Sequence, residues 1–356
     1  MKIALCHHFS LTFFAGGEIA LLNLAKVLIK RGHKVEIYAL PIARREKRYS
    51  HLRQILEELD IIYTEGYFQR VRGVDIAYYV YAPLIHKMIK TDAPKIAGLH
   101  SPMYAIGIQH EDVKKLNLVS FTKRFGVVRA LSRYYFELRR GELRAFDAVH
   151  IVNPAMRNYI PHTRIYFIPN GVDLSMFKPV SLDEKFEKFT VLYAGRREWA
   201  KGFDLFEKTA ELLSNRNDIE FLTTGTGKTS SVSGKVRDLG FVAYDELPKI
   251  YSKSHVVLYP SRIDAHSLTI IEALTSGTPV ITTPIPAHTV FELPLIYAST
   301  PSEMAKEILK LKEMYERRPD EYLKLVEQGL KAVKQYDISE VTKRFEEMFK
   351  EVLGNT

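Results

Sequence analysis

Two glycine-containing loops, each followed by a helical pattern, carry the clearest anion-binding chemistry in the sequence. Gly16 and Gly17 open the first helix shortly after the first strand, and a helix start directs unpaired N–H groups toward an anion. Gly195 directly follows a later strand, and Arg196 and Lys201 place two full charges at the start of the next helix. This pattern predicts a phosphate site. A flexible turn and a solvated basic loop are the alternative interpretations.

Two carboxylates flank the start of another helix. Asp264 precedes that helix and Glu272 lies within it. Carboxylates accept hydrogen bonds from sugar hydroxyls, and the N–H groups of Ser267, Leu268 and Thr269 can hold a phosphate. An acidic residue at the start of a buried helix explains the same pattern without function.

His100 directly follows the predicted strand 95–99, at the sheet edge where parallel sheets bind ligands. Other motifs are absent or incomplete. The segment 225–229 resembles the end of an ATP-binding loop, but Leu222 stands where that loop needs glycine. No Gly-x-Gly-x-x-Gly follows the first strand, and neither Asp-x-Asp nor His-x-x-x-His occurs. The sequence therefore predicts no metal site, no ATPase and no dinucleotide-binding enzyme.

The composition is that of a globular protein of two domains: 356 residues, 46% apolar and 26% charged. The single cysteine, Cys6, excludes an internal disulfide framework and indicates a reducing compartment. We find no signal-peptide pattern and no apolar run of membrane-spanning length, so we expect a cytoplasmic protein. Residues 1–170 carry a net charge of +12 and residues 171–356 a net charge of −3, which predicts an anionic partner for the first half.

Short β-branched or aromatic runs alternate with amphipathic stretches in both halves of the chain, as in βα units around a parallel sheet. We predict two Rossmann-like domains, at 1–169 and 170–337, and a final helix within 338–356. That helix has Ile338, Val341, Phe345, Phe349 and Val352 on one face, which needs a partner surface.

Several segments together resemble the retaining family-4 glycosyltransferases of the GT-B fold over nearly the whole chain. In chain order they are Gly16-Gly17-Glu18, Arg31-Gly-His-x-Val35, His100, Ile168-Pro-Asn-Gly-Val-Asp173, Gly195-Arg196 with Lys201-Gly202, Gly225-x-Gly227, Leu239-Gly240-x-Val242, Pro260-Ser261-Arg262 and Glu272-Ala-Leu-x-x-Gly-Thr-Pro-Val280. The resemblance implies two Rossmann-like domains with parallel sheets that face each other across a cleft, and a C-terminal helix that crosses back to the first domain.

The resemblance also implies a role for each site residue in metal-independent sugar transfer with retained configuration. The donor would be a nucleotide sugar, of UDP or GDP type, and no further cofactor is expected. Arg196 and Lys201 would grip its diphosphate, Glu272 the ribose, and Asp264 and His100 the transferred sugar. The remaining donor-site residues are Gly16, Gly17, Val242, His266, Ser267, Leu268 and Thr269. The family usually has glutamate at position 264, and an aromatic residue and glycine where this chain has His266 and Ser267.

The acceptor is expected to be a glycan or a lipid-linked molecule. Residues 114–144 contain nine Lys or Arg interleaved with apolar and aromatic side chains, a pattern that fits an anionic membrane surface. Two ordinary amphipathic helices over the first sheet explain this segment equally well. A sugar-nucleotide epimerase or a phosphorylase of the same fold is the alternative function. A nucleic-acid binder is a remote one, because no such binding module is present.

Overall fold

The computed structural model describes residues 1–11, 16–42, 56–227 and 235–354. The chain divides into two compact units. The first contains Met1–Ile106, Leu116–Val172 and Ile338–Thr356, and the second contains Gly107–Lys115 and Asp173–Asp337. The sequence placed residues 107–115 in the first domain. They belong to the second unit because Gln109 and His110 hydrogen-bond the backbone of residues 262–264.

The first unit is built on a parallel sheet of seven strands, in the order β3-β2-β1-β5-β7-β8-β9. Its strands are β1 Lys2–His7, β2 Lys34–Ala39, β3 Ile62–Glu65, β5 Ile76–Val80, β7 Lys95–Leu99, β8 Ala148–Ile151 and β9 Ile165–Phe167. Two further strands, β4 Gln69–Val71 and β6 Ile89–Thr91, pair only with each other. The helices are α1 Gly16–Lys30, α2 Ile85–Met88, α4 Leu118–Phe125, α5 Val127–Leu138 and α12 Ile338–Leu353.

The second unit repeats this architecture with a parallel sheet of six strands, in the order β12-β11-β10-β13-β14-β15. Its strands are β10 Phe189–Ala194, β11 Ile219–Thr224, β12 Val236–Asp238, β13 Val256–Tyr259, β14 Val280–Thr282 and β15 Ile296–Tyr297. Its helices are α3 Glu111–Lys114, α6 Phe203–Leu212, α7 Leu247–Lys253, α8 Leu268–Thr275, α9 Pro286–Thr289, α10 Pro301–Arg317 and α11 Pro319–Val333.

Helices on both faces bury the central strands of each sheet. β5, β8, β10 and β13 have every residue buried, which is why their sequences are continuous apolar or aromatic runs rather than alternating ones. The short edge strands β3, β4, β6 and β12 were not predicted, since few of their residues are buried and they lack that signal. Within the described residues, no helix combines the length and the apolar composition needed to cross a bilayer.

The last helix, α12, completes the core of the first unit, as the resemblance implied. Val341, Phe345, Met348 and Phe349 are buried in one cluster with residues of α1, β1, β2 and β5. Its start packs on Gly171, where a Cβ atom would lie 2.9 Å from the Cα atom of Ile338. The glycine of the Pro-Asn-Gly-Val-Asp segment therefore permits the close approach of this helix.

One ion pair joins α12 to the end of α1. The carboxylate of Glu346 accepts hydrogen bonds from Nε and Nη2 of Arg31, at 2.8 and 2.6 Å, and lies 2.7 Å from Nε2 of His33. The hydrogen bonds from Arg31, together with His33, outweigh burial and lower the pKa of the Glu346 carboxyl. Both partners of Glu346 come from the Arg31-Gly-His segment that follows α1, so these contacts fix where the chain returns.

Replacing Glu346 by Gln is therefore expected to reduce the free energy of unfolding by about 1–2 kcal/mol at pH 7. The neighbouring Glu347 is exposed, and Glu347→Gln should change stability by less than about 0.5 kcal/mol. Because the folded-state pKa of Glu346 is lowered, the wild-type advantage is present at neutral pH and disappears as the carboxyl is protonated in acid. Urea unfolding of both variants at pH 7 and pH 4 tests this. Equal losses in the two variants would contradict it.

Candidate functional site

The loop after β10 carries the two cations that the sequence selected. Residues Trp199–Lys201 form a 3₁₀ turn, and α6 begins two residues after it, at Phe203. Gly202 has φ of 71° and approaches β13 so closely that a Cβ atom would lie 1.8 Å from the carbonyl oxygen of Pro260. Only glycine fits both conditions, which explains its place after Lys201.

Arg262, in the loop that follows β13, holds the loop after β10 in place. Its guanidinium lies over the Trp199 ring, at 4.6 Å from the centroid, and donates two hydrogen bonds to the carboxylate of Asp204. The backbone N–H groups of Arg262 and Ile263 both donate to the carbonyl of Ala200, at 2.9 and 3.1 Å. The Pro-Ser-Arg segment therefore orients the loop rather than presenting a free cation.

Lys201 points into the second unit. Its Nζ atom donates to the hydroxyl of Tyr259 at 2.9 Å and to the carbonyl of Ile263 at 3.1 Å. Burial lowers its pKa, and the charge of Arg196 lowers it further, whereas Asp264 raises it. Arg196 itself pairs with Glu198 at 3.0 Å and keeps about a third of its side chain exposed. The loop therefore joins one half-buried cation, Lys201, and one more accessible cation, Arg196.

Asp264 is enclosed by hydrogen-bond donors. Its Oδ2 atom accepts from the hydroxyl of Tyr259 at 2.7 Å and lies 3.4 Å from Nζ of Lys201 and 3.5 Å from Nε2 of His288. Burial by itself raises the pKa of this carboxyl, but Lys201, His288 and Tyr259 together hold it well below its usual range. Asp264 is thus an anion that balances the charge of Lys201.

Three of these partners escaped the sequence analysis. Tyr259 ends β13 at the predicted ligand edge, which was the available signal. His288 lies on the short helix α9, and no motif marks it. Gln109 holds the backbone of Asp264 through two hydrogen bonds of 2.8 Å, one in each direction, across 155 residues of sequence.

The start of α8 forms the other side of this region. Ser267 is its N-cap and accepts from the N–H of Ile270 at 3.3 Å, so that the first-turn residues Leu268 and Thr269 begin the helix. Glu272, one turn further, is buried and accepts from the hydroxyl of Tyr251 at 3.1 Å. Burial raises the pKa of Glu272 to about 7, against the hydroxyls of Tyr251 and Tyr244.

His266 and Val242 have different surroundings. The ring of His266 is buried and packs at 4.8 Å from Phe291 and 5.3 Å from Tyr336. It therefore occupies an aromatic position, in line with the aromatic residue that the family usually has. Val242 lies two residues after Gly240. The carbonyl of Gly240 accepts a hydrogen bond from the N–H of Gly225 at 2.9 Å.

Gly225 belongs to the segment that resembled a phosphate-binding loop. A Cβ atom at Gly225 would lie 2.0 Å from the carbonyl oxygen of Gly195. Gly195 donates its N–H to Thr224, and Arg197 donates its N–H to Thr226. These glycines bring the loop after β10 and the loop after β11 together, so they serve close packing, which agrees with the rejection of an ATPase.

In the first unit, His100 directly follows β7, as predicted. Its Nε2 atom lies 2.7 Å from the hydroxyl of Tyr78, and its Nδ1 atom lies 3.1 Å from Oδ1 of Asn170. Burial lowers the pKa of His100 to about 4, against the hydrogen bond of Asn170. Gly16 and Gly17 form the start of α1, and the loop residues 12–15 lie outside the described part of the chain.

The second unit thus brings together Arg196, Lys201, Asp264 and the start of α8, while His100 and the two glycines belong to the first unit. Across the described ranges, no group of three or more His, Cys, Asp or Glu side chains could hold a metal ion. The second unit therefore offers cationic charge on the loop after β10, N–H groups at the start of α8 and, one turn into α8, a buried carboxyl of raised pKa.

The comparisons with known proteins agree on one family. The sequence model of Glycosyltransferase Family 4 matches residues 14–176, and that of Glycosyl transferases group 1 matches residues 188–313. A phosphatidylinositol N-acetylglucosaminyltransferase subunit from Arabidopsis thaliana is 22% identical over 306 residues, which are 80% of this chain and 67% of that protein. The chain spans about two thirds or less of the length of the curated relatives it matches.

Two solved structures share the fold of the whole chain. Anabaena Alr3699/HepE, in complex with UDP and glucose, has a TM-score of 0.71 at 15% identity and covers 99% of this chain and 100% of its own. Sucrose-phosphate synthase from Thermosynechococcus elongatus has a TM-score of 0.71 at 16% identity, with both chains covered completely. From its two family matches and its GT-B fold, the chain belongs to the family-4, group 1 glycosyltransferases.

Proposed function

We propose that this glycosyltransferase moves a hexose from a UDP- or GDP-type nucleotide sugar to an acceptor hydroxyl, with retained anomeric configuration and without a metal ion. The observation that carries the proposal is the pair of Arg196 and Lys201 on one loop, with Asp264 and the start of α8 in the same unit. The complex of Alr3699/HepE with UDP and glucose supports a donor of this kind.

In the proposed reaction, the bond between the anomeric carbon and the diphosphate oxygen breaks, and its electron pair leaves with the diphosphate. Arg196 and Lys201 stabilise that developing charge, a task that a metal ion performs in other enzymes. The acceptor oxygen bonds to the anomeric carbon from the same face and gives its proton to the departing diphosphate. Glu272 accepts hydrogen bonds from the ribose hydroxyls, and the backbone beside Val242 holds the base.

We propose that Asp264 contributes mainly through Lys201. Its carboxylate is one methylene shorter than the family's usual glutamate, and Oδ2 already faces Tyr259, Lys201 and His288. An anion at that position keeps the Lys201 side chain charged in spite of burial. Its contact with the transferred sugar remains a prediction, as does the contact from His100.

For the acceptor, we propose a lipid-linked molecule presented at an anionic membrane surface. The phosphatidylinositol N-acetylglucosaminyltransferase relative supports a lipid acceptor by its name. On α5, Val127, Leu131 and Leu138 are exposed at spacings of four and seven, which places them on one stripe. On α4, Val119 and Lys123 are exposed one turn apart. Exposed apolar side chains beside cations suit a membrane interface.

The first test replaces Arg196 by Gln. Losing one charge that stabilises the departing diphosphate is expected to lower kcat/KM roughly 100- to 1000-fold, without loss of stability. Arg216→Gln is a matched control, since Arg216 is a surface arginine paired with Asp218 in another loop. The rate of nucleotide diphosphate release is measured with and without EDTA. It reports both the effect of the lost charge and whether the reaction needs a metal ion. A rate for Arg196→Gln within threefold of wild type would overturn the assignment.

Lys201 needs a different design, because its removal leaves the buried carboxylate of Asp264 without its cation. Lys201→Met should therefore lower both the melting temperature and the rate. The double variant Lys201→Met with Asp264→Asn removes both charges, so it should recover much of the stability but none of the rate. Recovery of activity in the double variant would show that Lys201 has only a structural role.

Glu272 gives a prediction in which stability and binding change in opposite directions. Its folded-state pKa of about 7 exceeds the ordinary 4.5, so its contribution to stability is present at low pH and is lost as pH rises through 7. Glu272→Gln should raise the free energy of unfolding by about 1–3 kcal/mol at pH 8 and change it little at pH 5. The same variant should weaken UDP or GDP binding.

Thermal unfolding and calorimetric titration with the nucleotide diphosphates at both pH values measure these two effects. Glu313→Gln serves as the control on an exposed carboxylate of the same unit. A Glu272→Gln variant that is less stable than wild type at pH 8, or that binds the nucleotide normally, would contradict the proposed role.

The membrane proposal is tested by co-sedimentation with vesicles of phosphatidylcholine alone and of phosphatidylcholine with phosphatidylserine. Binding should require the anionic lipid and weaken with salt. The triple variant Lys123→Gln, Arg124→Gln, Arg129→Gln should bind about 100-fold more weakly, at roughly 1 kcal/mol for each cation. Arg133 is left unchanged, because its guanidinium stacks on Phe121 at 4.6 Å and bonds Glu137.

A second triple variant, with glutamine at Lys306, Lys324 and Lys331, makes the same change of net charge on exposed residues of the second unit. It should bind vesicles as the wild type does. Equal weakening of the two triple variants would show that only net charge matters, and no sedimentation at low salt would favour a soluble acceptor.

A further inference from the structure

A fully buried polar network lies behind His100 in the first unit. The hydroxyl of Tyr78 is 2.7 Å from Nε2 of His100 and 2.6 Å from Nδ1 of His150. On its other side, Nε2 of His150 lies 2.7 Å from the carbonyl oxygen of Ile168. Tyr78 is 1% exposed and His150 is 0% exposed, so the two bonds of His150 do not compete with water, while His100 itself is half-buried. The network joins the neighbouring strands β5, β7 and β8 with the chain just beyond β9.

The direction of each hydrogen bond in this network follows from the bond to the carbonyl oxygen of Ile168. A carbonyl oxygen only accepts, so Nε2 of His150 must carry a proton and donate it. In a neutral imidazole Nδ1 of His150 is then an acceptor, and Tyr78 must donate its hydroxyl proton there. The oxygen of Tyr78 in turn accepts from His100, which requires a proton on Nε2 of His100.

The protonation states needed for this order are those that burial favours. Burial lowers the pKa of His150 to about 3, with His100 adding to the effect, and it raises the pKa of Tyr78 well above its usual value. Both groups are therefore uncharged at neutral pH. The opposite order would require a lone pair of His150 to face the carbonyl of Ile168, or a buried imidazolium, and both are costly.

Packing holds the network in place from two sides. A Cβ atom on Gly98 would lie 2.0 Å from the hydroxyl oxygen of Tyr78, so glycine leaves the space that the hydroxyl fills. Phe345 of α12 meets the rings of Tyr78 and His150 edge to face, at centroid distances of 5.5 and 5.0 Å. The returning helix thus supports the rings that lie behind His100.

We propose that Tyr78 and His150 are positioning residues that fix the proton of His100 on Nε2, so that Nδ1 is the ring atom that meets a hydroxyl of the transferred sugar. The proposal rests on the glycosyltransferase function proposed above. Nδ1 lies on the side of Asn170, at 3.1 Å from its amide. Because the free Nδ1 is an acceptor, the Asn170 amide must turn its NH2 group toward it, and a sugar hydroxyl replaces that donor on binding.

Nitrogen-15 NMR of the histidine side chains tests the tautomer directly in the wild-type protein, with no nucleotide sugar present. His100 is assigned by comparison with a His100→Gln sample. The wild-type protein should show a protonated Nε2 and an unprotonated Nδ1 on His100 at pH 7. A proton on Nδ1 instead would overturn the proposal. This arm decides the tautomer even if no nucleotide sugar proves to be a substrate.

Tyr78→Phe removes only the hydroxyl and keeps the ring that packs on Phe345. It should mix the two His100 tautomers and lower kcat roughly tenfold, while nucleotide diphosphate affinity stays unchanged. Tyr79→Phe is the matched control, since Tyr79 is also buried and donates to the carbonyl of Ile89, outside the network. Equal losses of kcat in both variants, or none in Tyr78→Phe, would overturn the link to sugar transfer. An inactive wild type with the expected tautomer would refute the proposed function but not the hydrogen-bond order.

Discussion

The second unit depends on the enclosure of one positive charge that is only partly exposed to water. An ammonium group taken out of water is stable only where hydrogen-bond acceptors and anions are arranged around it, and Lys201 has the Asp264 carboxylate, the Tyr259 hydroxyl and a backbone carbonyl. Other residues hold both members of this ion pair in place. Gln109 hydrogen-bonds the backbone of Asp264, and Arg262 holds the loop that carries Lys201. The contacts around Lys201 therefore hold its charge in one position.

The first unit meets a different constraint, because its site histidine is neutral. His100 and His150 both have lowered pKa values, and their hydrogen bonds run in a single direction toward a backbone carbonyl. Such a network needs dry, close packing, which Gly98 and Phe345 provide. The two units therefore differ: charge is held in place in the second, and a hydrogen-bond pattern is held in place in the first.

Burial of the Glu272 carboxyl opposes its ionised form in the folded protein. Glu272 has a raised pKa because burial outweighs the hydrogen bonds from Tyr251 and Tyr244, and burial favours its uncharged form. Glu346, in contrast, has a lowered pKa and a guanidinium partner, as expected for a group that stabilises the fold. Opposite pKa shifts in two buried glutamates thus separate a candidate binding residue from a structural one.

The sequence alone predicted the parallel sheets, because buried central strands such as β10 and β13 are continuous apolar runs. It also predicted the apolar face of α12 and the cations of the loop after β10, since both are local patterns. The edge strands β3 and β12 and the separate pair of β4 and β6 escaped, whereas the edge strands β9 and β15 were predicted.

Only the tertiary structure determined the contacts between residues that lie far apart in the sequence. Gln109 reaches Asp264 across 155 residues, and Arg31 reaches Glu346 across 315. Tyr78 and His150 meet only because strands β5 and β8 both lie beside β7 in the sheet. Strand order and helix return bring such pairs together, and neither leaves a periodic signal in the chain. Local patterns therefore identified the elements and the site loops, while the partners that set charge and tautomer at each site followed from the fold.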